Sequence, residues 1–182
     1  MSNIHDAMQN LFCKLKATYQ AQQREPKVMY EADWPSEIYQ GDPDKNGEIV
    51  WRPHTRSVPA RMDNIADSLE SVIPEQLSEY YGGYYSANIA AKTQRGELEL
   101  LLPWNEEDFE RLQKNLIAHI LMKRKLRQAE TWFFAVTDQD DFNLAVLGNS
   151  GEVVLERVGC EPQEVIAQSL SDFILTCEPV II

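Results

Sequence analysis

The chain has 182 residues, 43% of them apolar and 25% charged, which is ordinary globular composition and enough to bury a core without disulfides or metals. Its net charge of -12 disfavours nucleic acid and anionic lipid headgroups as partners and favours basic ones. No run approaches the roughly 18 consecutive apolar residues of a membrane span, and "MSNIHDAMQNLFCKLK" lacks the pattern of a signal peptide. Cys13, Cys160 and Cys177 show no metal-site spacing and read as reduced thiols, so a soluble, cytoplasmic protein is expected.

Ile4, Met8, Leu11, Leu15 and Tyr19 recur at helical spacing and predict a helix over 3–23, capped by Asn3 with Asp6. A loop with Trp34, Pro35, Gly41 and Pro43 leads to a short strand in "EIVWRP". "MDNIADSLESVIPEQLSEYY" reads as two short helices divided at Pro74, because proline drives the preceding residue out of helical geometry. "SANIAAK" and "ELELLL" form a hairpin across "TQRG", with Leu98, Leu100 and Leu102 on one face and Glu97 and Glu99 on the other. A central helix follows Asn105 and buries Phe109, Leu112, Leu116, Ile117 and Ile120, with His119 on the flank of the stripe as a structural residue. Strands follow in "TWFFAV", "NLAVLG" and "EVVLE", the last two joined across "NSG". A closing helix is expected to start with Pro162 at its first position and to bury Ile166, Leu170 and Phe173. These elements predict an α+β single domain over 1–182, mostly antiparallel sheet flanked by helices.

Charge is unevenly laid out. Residues 31–110 carry six bases against seventeen acids, 111–127 carry six bases and no acid, and 128–182 carry one base, Arg157, against ten acids. In the central helix, Glu106, Glu107 and Asp108 lie at the start and Lys123, Arg124, Lys125 and Arg127 at the end, an order that complements the helix dipole and requires no partner.

No catalytic, cofactor or metal site emerges. "DPDKNG" at 42–47 matches the first half of a calcium loop, but the position needing a bidentate Glu is Pro53, and a turn before the strand explains the same residues. "DQDD" at 138–141 reads as a solvated loop, and there is no Gly-x-Ser-x-Gly elbow, phosphate loop or His-Glu-x-x-His pair. "YYGGYY" at 80–85 is open to two readings, core or amphipathic contact surface.

"WNEEDFERLQKNLIAHIL", followed by "TWFFAV" and "LGNSGEVV", closely resembles the Syd family of SecY-interacting proteins. Matching positions include Trp104, Glu107, Asp108, Phe109, Arg111, Gln113, Asn115, Leu116, Ile117, His119, Ser150, Gly151, Glu152 and Val153; "IVWRP" and "SEIYQG" are weaker matches upstream. The resemblance implies a SUKH-like fold and a non-enzymatic protein, peripherally associated with the cytoplasmic face of the bacterial inner membrane. It implies binding of the cytoplasmic loops of SecY through an acidic concave surface, with a role in sensing or restraining improperly assembled SecY. The alternative it leaves open is a SUKH-type immunity or regulatory protein that binds a basic toxin or partner domain.

Cytoplasmic loops of membrane proteins are enriched in Lys and Arg. A basic protein surface is therefore the expected partner, with no nucleic acid, no lipid insertion, no small-molecule substrate and no cofactor. Partner contacts are expected where acids stand near aromatic rings that can pack on Lys or Arg stems: Glu37 beside Tyr39, Glu70, Glu79 leading into Tyr81 and Tyr85, Glu97 with Glu99, and Trp51 as an anchor.

Overall fold

The computed structural model describes residues 3–182. Helix α1 (Ile4–Ala21) starts where the extended Asn3 accepts the Asp6 N–H on its side-chain oxygen at 2.8 Å, and it buries Ile4, Ala7, Met8, Leu11 and Leu15. Strands β1 (Lys27–Met29), β2 (Tyr39–Gln40) and β3 (Glu48–Trp51) form a small antiparallel sheet in the order β1-β3-β2. The loop before β3 is a turn held by Asp44: its Oδ1 accepts the N–H groups of Asn46 and Glu48, and its Oδ2 accepts the Lys27 ammonium.

Strand β4 (His54–Thr55) precedes two short helices, α2 (Asp63–Leu69) and α3 (Glu75–Gly82), which divide at Pro74 as expected. Strand β5 (Tyr84–Tyr85) then pairs back onto β4. The tyrosine stretch is core: Tyr80, Tyr81, Tyr84 and Tyr85 are all buried, and the hydroxyls of Tyr80 and Tyr81 donate to the carbonyls of Leu101 and Phe133. Its glycine is a packing requirement. A Cβ on Gly82 would lie 1.9 Å from the Ala60 carbonyl oxygen, whose own N–H donates to the Gly82 carbonyl.

The large sheet is built from β6 (Ile89–Thr93), β7 (Gly96–Leu100), β8 (Thr131–Thr137), β9 (Phe142–Leu147), β10 (Val153–Arg157), β11 (Pro162–Ala167) and β12 (Glu178–Pro179). These seven strands run in the order β11-β10-β9-β8-β7-β6-β12, with antiparallel pairing throughout. Helix α4 (Glu106–Lys125) connects β7 to β8, and α5 (Leu170–Thr176) precedes β12. Alternation in β8 sends neighbouring rings to opposite layers. Phe134 meets Tyr80 of α3 and Phe173 of α5, whereas Phe133 meets His119 of α4. Among the described residues, no helix is long and apolar enough to cross a membrane.

Two expectations are corrected. Residues 162–167 form edge strand β11 rather than the first turns of a helix. Proline is tolerated there because an edge residue need not donate to the ladder, and the helix starts later, where Ser169 accepts the Asp172 N–H. Lys123 is not part of a solvated basic end: it is fully buried and donates to Glu156 Oε2 at 2.9 Å and to the Cys160 carbonyl at 2.7 Å. Its partner Glu156 is 1% exposed.

Candidate functional site

Three neighbouring clefts lie between the sheet face that carries Glu97 and Glu99, the start of α4 and the Trp34 loop. The first, about 320 Å³, lies between Glu97, Glu99 and Val136 and the C-terminal residues Val180, Ile181 and Ile182. The second, about 200 Å³, lies between Leu101, Leu112 and Phe133 with Asp108 and Arg111 beside it. The third, about 390 Å³, lies between Met29, Trp34 and Trp104 with Glu31 at its wall. Asn88, Leu102 and Asp108 line both the second and the third. Asn88 Nδ2 also donates to Glu99 Oε1 at 2.7 Å, which links the first cleft to the other two. The result is a trough with an apolar floor and the acids Glu31, Glu97, Glu99 and Asp108 along it.

Local folding explains each part. Period-two alternation in β7 sends Leu98 and Leu100 into the core and leaves Glu97 and Glu99 on the opposite face, in register with Lys92 and Ala90 of β6. Asp108 lies in the first turn of α4, where Asn105 accepts its N–H at 2.9 Å and its own Oδ2 accepts the Trp104 N–H at 2.8 Å. The Trp34 loop is clamped to the start of α4: Trp104 Nε1 donates to the Trp34 carbonyl, Ser36 Oγ to the Trp104 carbonyl, and Asn105 Nδ2 to the Pro35 carbonyl. Tyr39 completes the aromatic wall, edge-on to Trp104 at 5.6 Å and tilted against Tyr30 at 5.4 Å.

One cation of the protein itself lies in the trough. Arg111 sits with its guanidinium 5.2 Å from the centre of the Trp34 ring and 3.3 Å from Asp108 Oδ1. An aromatic face combined with a carboxylate satisfies both the stem and the head of a Lys or Arg side chain. Among the described residues, no group of three or more His, Cys, Asp and Glu is placed to hold a metal ion.

The residues expected to bind a partner do not form one patch. Glu97 and Glu99 lie in the trough, and Tyr39 borders it. Glu37 instead pairs with His54 Nε2 at 2.6 Å, beside Tyr85. Tyr85 is buried; its hydroxyl donates to Glu106, and burial followed by that hydrogen bond pushes its pKa up to about 12. Glu70 is the left-handed C-cap of α2, next to Leu69, whose carbonyl accepts from Arg124. Arg124 is sixteen residues beyond Asp108 on α4, about 24 Å along a helix, so Glu70 is remote from the trough. Glu79 stands with Arg61, Glu75 and His5 on the α3 side, its carboxyl raised by burial and then by Glu75. Tyr81 at 0% exposure and Trp51 at 5% are core residues and present no surface to a partner. Reading the sequence missed Trp34, Trp104, Glu31 and Asp108. The available signal was Trp104 immediately before the helix cap, although no local pattern pairs it with the Trp34 loop.

A family model described as "Syd protein (SUKH-2)" matches residues 5–179. The relative named Protein Syd from Pseudoalteromonas atlantica is 38% identical over 180 residues, covering 98% of this chain and 97% of that protein. Protein Syd from Alteromonas mediterranea is 44% identical over 155 residues, covering 85% of each. The match spans the helices and the strands of the sheet, and the chain belongs to the Syd family.

Proposed function

We propose that this chain is a non-enzymatic binding protein that receives the basic cytoplasmic loops of SecY in the trough, and so engages improperly assembled SecY at the cytoplasmic face of the inner membrane. The observation that carries the reading is the alignment of Glu31, Glu97, Glu99 and Asp108 along an apolar and aromatic floor in a protein of charge -12. The adjoining bilayer surface is negative, and the loops beside it are positive. A protein of this charge is repelled by the lipid and attracted to the loops, so the contact is protein to protein.

The test compares two double variants of equal charge by co-sedimentation with SecY-containing membranes at one ionic strength. Glu97→Gln with Glu99→Gln is expected to weaken binding far more than Glu70→Gln with Glu79→Gln. Equal losses from the two, on proteins with unchanged melts, would mean that only net charge matters and that the trough is not the site.

A further inference from the structure

Arg95, at the tip of the β6–β7 turn, forms an ion pair with Glu164 of β11. In the sheet order, β11 is four strands away from β7, about 19 Å across a flat sheet, further than an arginine and a glutamate side chain together reach. The sheet therefore curls so that its edge strand faces the hairpin tip. Inside the curl is a cavity of about 170 Å³ whose apolar lining comes from Leu98, Phe142, Leu144, Leu155, Ile166 and Phe173. Phe142, Leu155 and Ile166 are only half-buried, so the lining is open to an incoming group.

Across β7 from the trough, on the core face that carries Leu98, the cavity borders the same strand ends. Glu97, Leu98, Thr137 and Asp138 line both it and the cleft beside Glu99. Asp138 lines it, and Arg95, also in its lining, pairs with Glu164. Asp138 is held over the hairpin by its N–H to the Glu97 carbonyl.

We propose that this cavity is an anchor pocket for one apolar side chain of a basic peptide segment, with the neighbouring lysine or arginine of that segment displacing Arg95 from Glu164. Size favours a side chain over a small-molecule ligand. A cavity of roughly 150 Å³ accepts one benzene-sized group, whereas small-molecule sites run to roughly 300–1,000 Å³. Charge selects the kind of peptide, because the acids around the mouth already hold a guanidinium supplied by the protein itself. Exposed pairs of this kind hold weakly and exchange readily. The trough alone would read positive charge; the pocket adds a requirement for a leucine-sized or phenylalanine-sized residue at a set position. The inference deepens the SecY reading without depending on it for its test.

The experiment titrates the full chain with blocked peptides Lys-Lys-X-Lys-Lys, with X as Leu, Phe or Ala, by calorimetry and by methyl NMR of Leu155 and Ile166. The Leu and Phe peptides are expected to bind on the order of tenfold more tightly than the Ala peptide, consistent with burying a few methylene equivalents, and to shift those methyl resonances. Ile166→Trp, which fills the mouth, should erase the preference, and Arg95→Gln should strengthen Leu-peptide binding. Equal affinities for the three peptides on the unaltered protein overturn the proposal whatever the variants do. Benzene entering the cavity without peptide discrimination also overturns it, marking a site for small apolar molecules. In parallel, SecY-membrane binding without peptide discrimination would leave the trough reading intact and remove only the pocket. Peptide discrimination without SecY binding would do the reverse.

Discussion

Lys123 and Glu156 are 0% and 1% exposed and 2.9 Å apart, with Thr131 Oγ1 donating to the same carboxylate and His119 Nε2 at 3.2 Å from it. Burial by itself would raise the Glu156 pKa, but the hydrogen bonds from His119, Lys123 and Thr131 outweigh it and hold the carboxyl below its ordinary value. A carboxyl depressed in the folded state contributes stability above its unfolded pKa, about 4.3, and loses it as pH falls through the folded pKa. Thermal melts should therefore hold steady from neutral pH to about pH 5 with respect to this group, then decline below the unfolded pKa. Glu156→Gln should flatten the acid decline. Removing one partner of a buried pair strands the other, so Lys123→Gln is expected to cost about 3–5 kcal/mol, while the exposed Lys125→Gln should stay within about 0.5 kcal/mol. Equal melts for Lys123→Gln and Lys125→Gln would contradict this account of the network.

At the scale of elements, α3 and α5 show how local chemistry and packing divide the task. The last residue of α3 must be glycine because the Ala60 backbone occupies the place of a side chain at Gly82. Gly82→Ala is expected to cost about 3 kcal/mol or more, the upper end for overpacking, because the obstacle is hydrogen-bonded backbone rather than a side chain that can turn aside. Helix α5 starts by the capping bond from Asp172 N–H to Ser169 Oγ, and Ser169→Ala should cost about 1 kcal/mol. Urea denaturation reads both changes. A Ser169→Ala protein as stable as its parent would mean that packing of Leu170, Phe173 and Ile174, not the cap, fixes where α5 begins. The same region explains the misplaced helix: Gln163, Glu164 and Val165 are exposed and have no helical face to bury, and β10 offers them a ladder instead.

On the whole-molecule scale, charge is the dominant long-range property. With a Debye length of about 10 Å at 0.1 M salt, attraction between the trough and a basic partner should be felt only near contact. Co-sedimentation with SecY membranes is expected to fall as salt rises from low to moderate concentration, and protein-free anionic liposomes should retain none of the protein. Binding insensitive to salt, or equal retention by bare liposomes, would refute the electrostatic reading.

The sequence alone determined the features that depend on near neighbours. Asn3 and Asn105 capped the expected helices, Pro74 divided α2 from α3, and alternation placed Glu97 and Glu99 opposite the leucines of β7. The family likeness was also legible, since it rests on a contiguous run from Trp104 through Glu152. Tertiary structure decided the rest, because the deciding contacts join residues far apart in the chain. It paired Lys123 with Glu156 and Trp34 with Trp104, and it turned the tyrosines of 80–85 into core. It also sorted the acids, sending Glu97 and Glu99 to the trough and Glu37, Glu70 and Glu79 elsewhere. A carboxylate's charge is written in its own residue, but its burial and its partners are set by what the fold brings beside it.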